Sequence, residues 1–257
     1  MLITALRIDD RAWAAWLAAA GNRPGLRRVE LAADVLLEQP RAVAALLERN
    51  GLQLIQVSGA LSGAAVDHLA AAGDAAVDRV LSRLEVLAGQ AARLGARSLE
   101  LDPGLDRIPE TGGEDALRGR VRLLQRLLPL ALRHGLEWTV PCRLPAVLPA
   151  QRDWHLAANL VYETMHPACR LAVQLHPGEL GPAWDPLPVL RACLFQTRLF
   201  RLAYEPACGE TADPGWLPAF MDELRRHAFS GSVVFAPRLA RPEDGLEAVL
   251  NGMRFDE

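Results

Sequence analysis

The phrase HPGEL at 176–180 sets an imidazole, His176, three residues before a carboxylate, Glu179. Histidine changes charge near neutral pH, so it can act as a general base with a carboxylate orienting its ring. The plainer reading of the same phrase is a strand end entering a Pro-Gly turn, with Glu179 solvated. Tyr204-Glu205 sets a phenol beside a second acid, although Pro206 comes next and can turn Glu205 outward. His176, Glu205 and Glu179 are therefore the candidates for moving protons. Asp9-Asp10 reads either as a metal pair or, more simply, as the N-cap of a helix starting near Arg11.

Other chemistries are excluded by what the chain lacks. All 28 basic residues are arginine and there is no lysine. Schiff-base aldol chemistry, pyridoxal phosphate held on an internal lysine, and the Walker-type phosphate loop all need that amine. Zero lysine also fits the codon bias of a GC-rich genome, and the exclusions hold either way. The four cysteines, Cys142, Cys169, Cys193 and Cys208, form no CxxC pair, so they make neither a zinc site nor a dense disulfide framework. Reduced thiols and an N-terminus without a basic start and long apolar run predict a cytoplasmic protein. No stretch reaches the ~18 uninterrupted apolar residues of a membrane span. A net charge of −3 offers no electrostatic footprint for nucleic acid.

The elements that must position these residues alternate along the chain. Short apolar runs lie at 2–8, 27–32, 52–58, 97–102, 136–141, 170–176, 199–204 and 232–237. Several are nearly continuous, as in parallel strands covered on both faces. Between them run helical patterns. One has Val77, Val80, Leu81, Leu84 and Leu87 on one stripe; two others end in Asn50-Gly51 and His134-Gly135. Eight βα units in 257 residues match a single (β/α)8 barrel domain spanning 1–257. An open doubly wound sheet is the alternative, but its phosphate-binding glycine loop would stand where RIDDRAW stands.

Four phrases carry a resemblance: GLRRVELAADVL, ARLGARSLELDPG, LPLALRHGLEWTVP and GWLPAFMDELRRHAFSGSVVFAP. In order and spacing they resemble the second strand, the fourth strand, the fourth helix with the fifth strand, and the seventh helix with the eighth strand of xylose-isomerase-like TIM barrels. Those are sugar phosphate isomerases and epimerases, together with endonuclease-IV-type repair enzymes. The resemblance implies an isomerase or epimerase acting on a sugar or sugar phosphate, with a divalent metal on Glu, Asp, His and Glu at the ends of strands five to eight. This chain has Pro141, His176, Ala203 and Ala236 there, and Asp102 at a fourth-strand position that is often His. One ligand in four cannot hold magnesium or manganese. The expectation is thus no cofactor, with Mn or Zn entering only if the ligand positions are misassigned.

The resemblance also implies which side chains face the barrel mouth: Glu30, Gln56, Ser58, Glu100, Asp102, Arg143, Gln174, His176, Arg201, Glu205 and Arg238. A metal would offset the acids; here Arg143, Arg201 and Arg238 could, with Arg201 paired to Glu100 or Asp102. In one version Arg143, Arg201, Arg238, Glu100, Asp102 and Glu30 bind a sugar or anionic ligand. In the other they close an ion-pair network that only fills the barrel. Trp154, Trp184 and Trp216 either wall a sugar pocket or cap helix starts, and His134 and His227 are expected to face solvent. Partners are a small-molecule ligand and at most a second copy in a homodimer. A non-catalytic pseudoenzyme barrel, acting as a binding or assembly partner, is the competing function.

Overall fold

The computed structural model describes residues 3–8, 13–22, 25–61, 69, 74–101, 113–143, 152–176, 185, 187–204 and 216–237. Each apolar run becomes a strand: β1 (Ile3–Ile8), β2 (Arg28–Ala32), β3 (Gln53–Ser58), β4 (Ser98–Glu100), β5 (Glu137–Arg143), β6 (Cys169–Leu175), β7 (Thr197–Tyr204) and β8 (Ser232–Pro237). All pair in parallel, each with its sequence neighbour, and β8 returns to β1 to close a barrel. Helices run between them: α1 (Trp13–Gly21), α2 (Ala33–Glu38), α3 (Pro40–Arg49), α4 (Asp74–Arg93), α5 (Gly113–His134), α6 (Arg152–Thr164), α7 (Leu187–Cys193) and α8 (Leu217–Arg226).

The two faces of the strands bury different things. Leu6 and Ile8, Val29 and Leu31, and Val140 and Cys142 point outward into one apolar cluster shared with helix residues such as Leu84, Leu127 and Leu224. Burying each leucine of this layer contributes about 1.5–3 kcal/mol. The alternate residues Ala5, Ile55, Ala172, Leu199 and Val234 form a second, smaller cluster inside the barrel. Two slips interrupt the alternation. Val29 pairs with Leu54 but Glu30 with Gln56, and Leu171 pairs with Thr197 but Ala172 with Leu199. Each inserts a residue and re-aims the rest of its strand, so Gln56 lies level with Glu30.

The strand ends differ from expectation in one instructive place. The sequence predicts that Pro141 stops the fifth strand, yet β5 continues to Arg143. The Thr139 carbonyl accepts from the Leu101 amide on the β4 side, and Pro141, two residues on, faces the same way. Its missing N–H therefore points where β4 has already ended at Glu100, while pairing with β6 continues to Arg143. The apolar spacing also misses α2 and α7, which are only 6 and 7 residues long. Gly51 and Gly135 take left-handed φ values of 62° and 65°, as their helix-stop positions require. Trp138, fully buried on β5, donates its indole N–H to the Leu127 carbonyl at 2.8 Å. That bond ties β5 to α5 beside Pro129, where the helix lacks an N–H.

Candidate functional site

Four charged side chains from four strands meet inside the barrel. Arg201 on β7 is 1% exposed, Glu30 on β2 is 0% and Glu100 on β4 is 2%. A single guanidinium nitrogen, Nη2, donates to Glu30 Oε1 at 2.5 Å and to Glu100 Oε2 at 2.7 Å. These are short, charge-assisted bonds. Burial alone pulls the Arg201 pKa down, but the Glu100 and Glu30 carboxylates outweigh it and hold the guanidinium above the ordinary arginine range. Arg7 on β1 brings its Nε to 3.7 Å from Glu30 Oε1 with its side chain 21% exposed. With Arg7 included, the four charges sum to zero.

Polar neighbours extend the layer. Gln56 Nε2 approaches Glu100 Oε2 at 3.5 Å, and Ser98 Oγ donates to Gln56 Oε1 at 2.7 Å. Gln56 and Glu100 are set facing because β3 and β4 pair Gln56 with Ser98, one inward step before Glu100. On β6, Gln174 Nε2 and His176 Nε2 stand 2.9 Å apart, with His176 buried at the strand's C-terminal end. With the amide as donor, the imidazole is neutral and carries its proton on Nδ1. Gln174 is also the strand partner of Arg201, so the His176 edge and the charged layer share one stretch of the β6–β7 ladder.

The arginine pairing expected from sequence is present for Glu100, and Glu30 joins it. Arg7 was missed; its only signal was the two-residue alternation that points Ala5 inward and Arg7 with it. Arg143 ends β5 with its side chain exposed. Asp102, Glu179, Glu205 and Arg238 lie outside the described residues, as do Asp9, Trp184, Cys208 and the side chain of Trp154. One expectation is corrected: His134 does not simply face water, since its Nε2 meets Glu85 Oε1 at 2.7 Å where α4 packs against α5. Of the two readings of Trp216, the buried helix start is the one present: it lies at the start of α8 and packs edge-on against Phe220 with ring centroids 5.8 Å apart.

The positions that the resemblance assigns to metal ligands can now be tested against the donors present. Ala203 and Ala236 are register partners near the ends of β7 and β8, both buried. Pro141 lies within β5 and offers no side-chain donor. Among the described residues no three His, Cys, Asp or Glu side chains converge where they could hold a metal ion. The described residues do not fit the divalent metal that the resemblance implies.

No protein-family model and no curated protein matches the sequence. Solved structures do match the fold. The 3-keto-D-glucoside 4-epimerase YcjR of E. coli superposes with a TM-score of 0.69 at 13% identity, over 98% of this chain and 97% of that one. A xylose isomerase domain protein from Alicyclobacillus acidocaldarius gives 0.65 at 17% identity, over 98% and 99%. This is a xylose-isomerase-like TIM barrel fold. Other chains with it include a D-psicose 3-epimerase from Clostridium cellulolyticum H10, at 0.68 and 12% identity over 98% and 90%. A family 2 AP endonuclease from Brucella melitensis gives 0.66 and 16% over 96% and 97%. At these identities the xylose-isomerase-like likeness shows architecture, and the site must be argued from its own residues. Among the described residues no helix is long and apolar enough to cross a membrane.

Proposed function

We propose that this barrel is a divergent isomerase- or epimerase-like protein that binds a small sugar or anionic ligand at its C-terminal mouth without a divalent metal. The observation that carries the reading is Arg201, a buried cation already bridging Glu30 and Glu100 beneath the His176–Gln174 edge. The sugar epimerases among the structural neighbours support the ligand class. In this fold the C-terminal ends of the strands and the loops after them build the binding site.

Mechanism depends on which groups can meet a ligand. Arg201, Glu30 and Glu100 are committed to one another and, with Arg7 beside Glu30, shape a floor whose four charges cancel. The anionic part of the ligand, or the oxygen that gains charge when a proton leaves the adjacent carbon, is assigned to Arg143 at the exposed end of β5, and Arg238 is given the same role. His176 moves the proton between neighbouring carbons, with Glu205 and Glu179 as its carboxylate partners. Positioned acid–base transfer of this kind contributes about 10²–10⁴-fold to a rate. Gln174, 2.9 Å from the His176 ring nitrogen, orients the imidazole. A second reading, a non-catalytic binding barrel, is favoured by Pro141, Ala203 and Ala236, which leave no metal-dependent reaction at those strand ends.

The test combines metal analysis with ligand binding. Protein purified without chelator should carry far less than one Mn, Zn, Co or Fe per chain. Calorimetry against sugars and sugar phosphates should detect a ligand whose affinity falls in Arg143→Ala and His176→Ala, both still folded by circular dichroism. Exchange of the ligand's C–H for solvent deuterium, lost in His176→Ala, separates the enzyme from the binding barrel. Near one metal per chain would refute the proposal.

A further inference from the structure

The charged layer carries an inference that does not depend on the ligand proposed for the mouth. Glu30 and Glu100 are buried acids on strands β2 and β4, and one atom, Arg201 Nη2, stands 2.5 and 2.7 Å from an oxygen of each. Calcium sits about 2.3–2.6 Å from its oxygens, and manganese and magnesium take the same hard donors. The nitrogen thus occupies a point close to where a hard divalent ion would sit between these two carboxylates. Gln56 turns its amide nitrogen to Glu100 and its oxygen to Ser98, so the oxygens that face this point are those of the two carboxylates. Arg201 Nε is buried and has no hydrogen-bond partner among the described residues. The guanidinium is therefore held here by the two acids at Nη2, at the expense of satisfying its own Nε.

We propose that Arg201 is a built-in cation that closes the barrel axis to divalent metal, and that its removal turns Glu30 and Glu100 into a two-carboxylate site for a hard divalent ion that keeps water as its other ligands. The site is distinct from the strand-five-to-eight positions where the described residues offer no ligand set, since its donors come from β2 and β4. An arginine has a fixed charge and cannot be lost to a chelator, so Glu30 and Glu100 keep their cation whatever the metal supply.

The experiment compares four full-length proteins by thermal unfolding and by room-temperature Mn²⁺ electron paramagnetic resonance. Wild type should take up no Mn²⁺ and show no shift with it. Arg201→Ala, in chelator, should melt roughly 6–20 °C below wild type, because two buried carboxylates lose their partner. Mn²⁺ at a hundred times its dissociation constant should then raise its melting point by about 5–10 °C, with near one ion bound per chain. Arg201→Ala combined with Glu30→Gln and Glu100→Gln should recover stability without metal and bind none. If Arg201→Ala does not fold, Arg201→Gln, which keeps one neutral donor, is read in its place, with refolding from urea scored with and without Mn²⁺. The inference is overturned if the single variant gains nothing from Mn²⁺, if the gain persists in the triple variant, or if wild type already binds an ion that Glu30→Gln removes.

Discussion

Replacing Arg201 by methionine keeps most of the side chain's volume and removes only its charge and donors. Two buried carboxylates are then left facing each other across no more than about 5 Å, since both lie within reach of the same nitrogen. At an effective dielectric constant near 20, each lost attraction is about 6 kcal/mol and the exposed repulsion about 3 kcal/mol. Desolvation already offsets much of the attraction in wild type, so broken buried pairs cost about 3–5 kcal/mol net. Arg201→Met should fall at or above the top of that range, because it strands two acids. Glu30→Gln or Glu100→Gln should cost less, since each leaves Arg201 with one carboxylate. The triple variant Arg201→Met/Glu30→Gln/Glu100→Gln should return to within about 1–2 kcal/mol of wild type, as whole-network replacement usually does. Urea unfolding followed by far-ultraviolet circular dichroism at pH 7 measures all four. An Arg201→Met variant within about 1 kcal/mol of wild type, or a triple variant no more stable than the single, would show that the three groups do not balance one another.

Three further outcomes are expected. Trp138→Phe should cost about 2–4 kcal/mol in the same unfolding assay, from the lost indole hydrogen bond to the Leu127 carbonyl and a cavity at a fully buried position; a loss under ~1 kcal/mol would mean the indole bond does not fasten α5 to β5. Hydrogen bonds from Arg133 and then His134 hold the Glu85 carboxyl below its ordinary value of 4.5. A lowered folded pKa gives stability that is present above that ordinary value and lost as pH falls through the folded one, so the advantage of wild type over Glu85→Gln should shrink on acidification below pH 4.5. Burial pushes the Cys169 thiol up to about 12 and the Cys193 thiol up to about 11. Neither should react with iodoacetamide at pH near 8 until guanidinium unfolds the chain, and native labelling at the unfolded rate would contradict their burial.

The barrel was legible because its two periodicities are strong and agree. Outward strand residues such as Leu6, Val29 and Val140 had to be apolar to meet the helices, which makes the runs nearly continuous. The rhythm of eight runs with glycine stops at Gly51 and Gly135 then leaves few architectures. The misreadings are local. Proline at 141 reads as a stop because a strand residue normally needs partners on both sides; only the early end of β4 at Glu100 makes it tolerable. The short helices α2 and α7 span barely two turns, too few for an amphipathic stripe to stand out from chance.

The charged layer was half legible, and the reason lies in sequence distance. Alternation along single strands placed Glu30, Glu100 and Arg201 inside, but the Arg201–Glu30 bond joins residues 171 apart, and only barrel closure brings β7 across from β2. Arg7 carries the same alternation signal as Ala5, but LITALRI holds no acid that would mark it as part of a charged layer. Among the described residues, the lack of a three-ligand metal group and the presence of this arginine meet on one strand. Ala203 stands where the resemblance implies a histidine, and Arg201 lies two residues earlier on the same inward face of β7. In the metal-free reading proposed above, the cation at 201 stands in for a ligand at 203, because Glu30 and Glu100 lie within the arginine's reach.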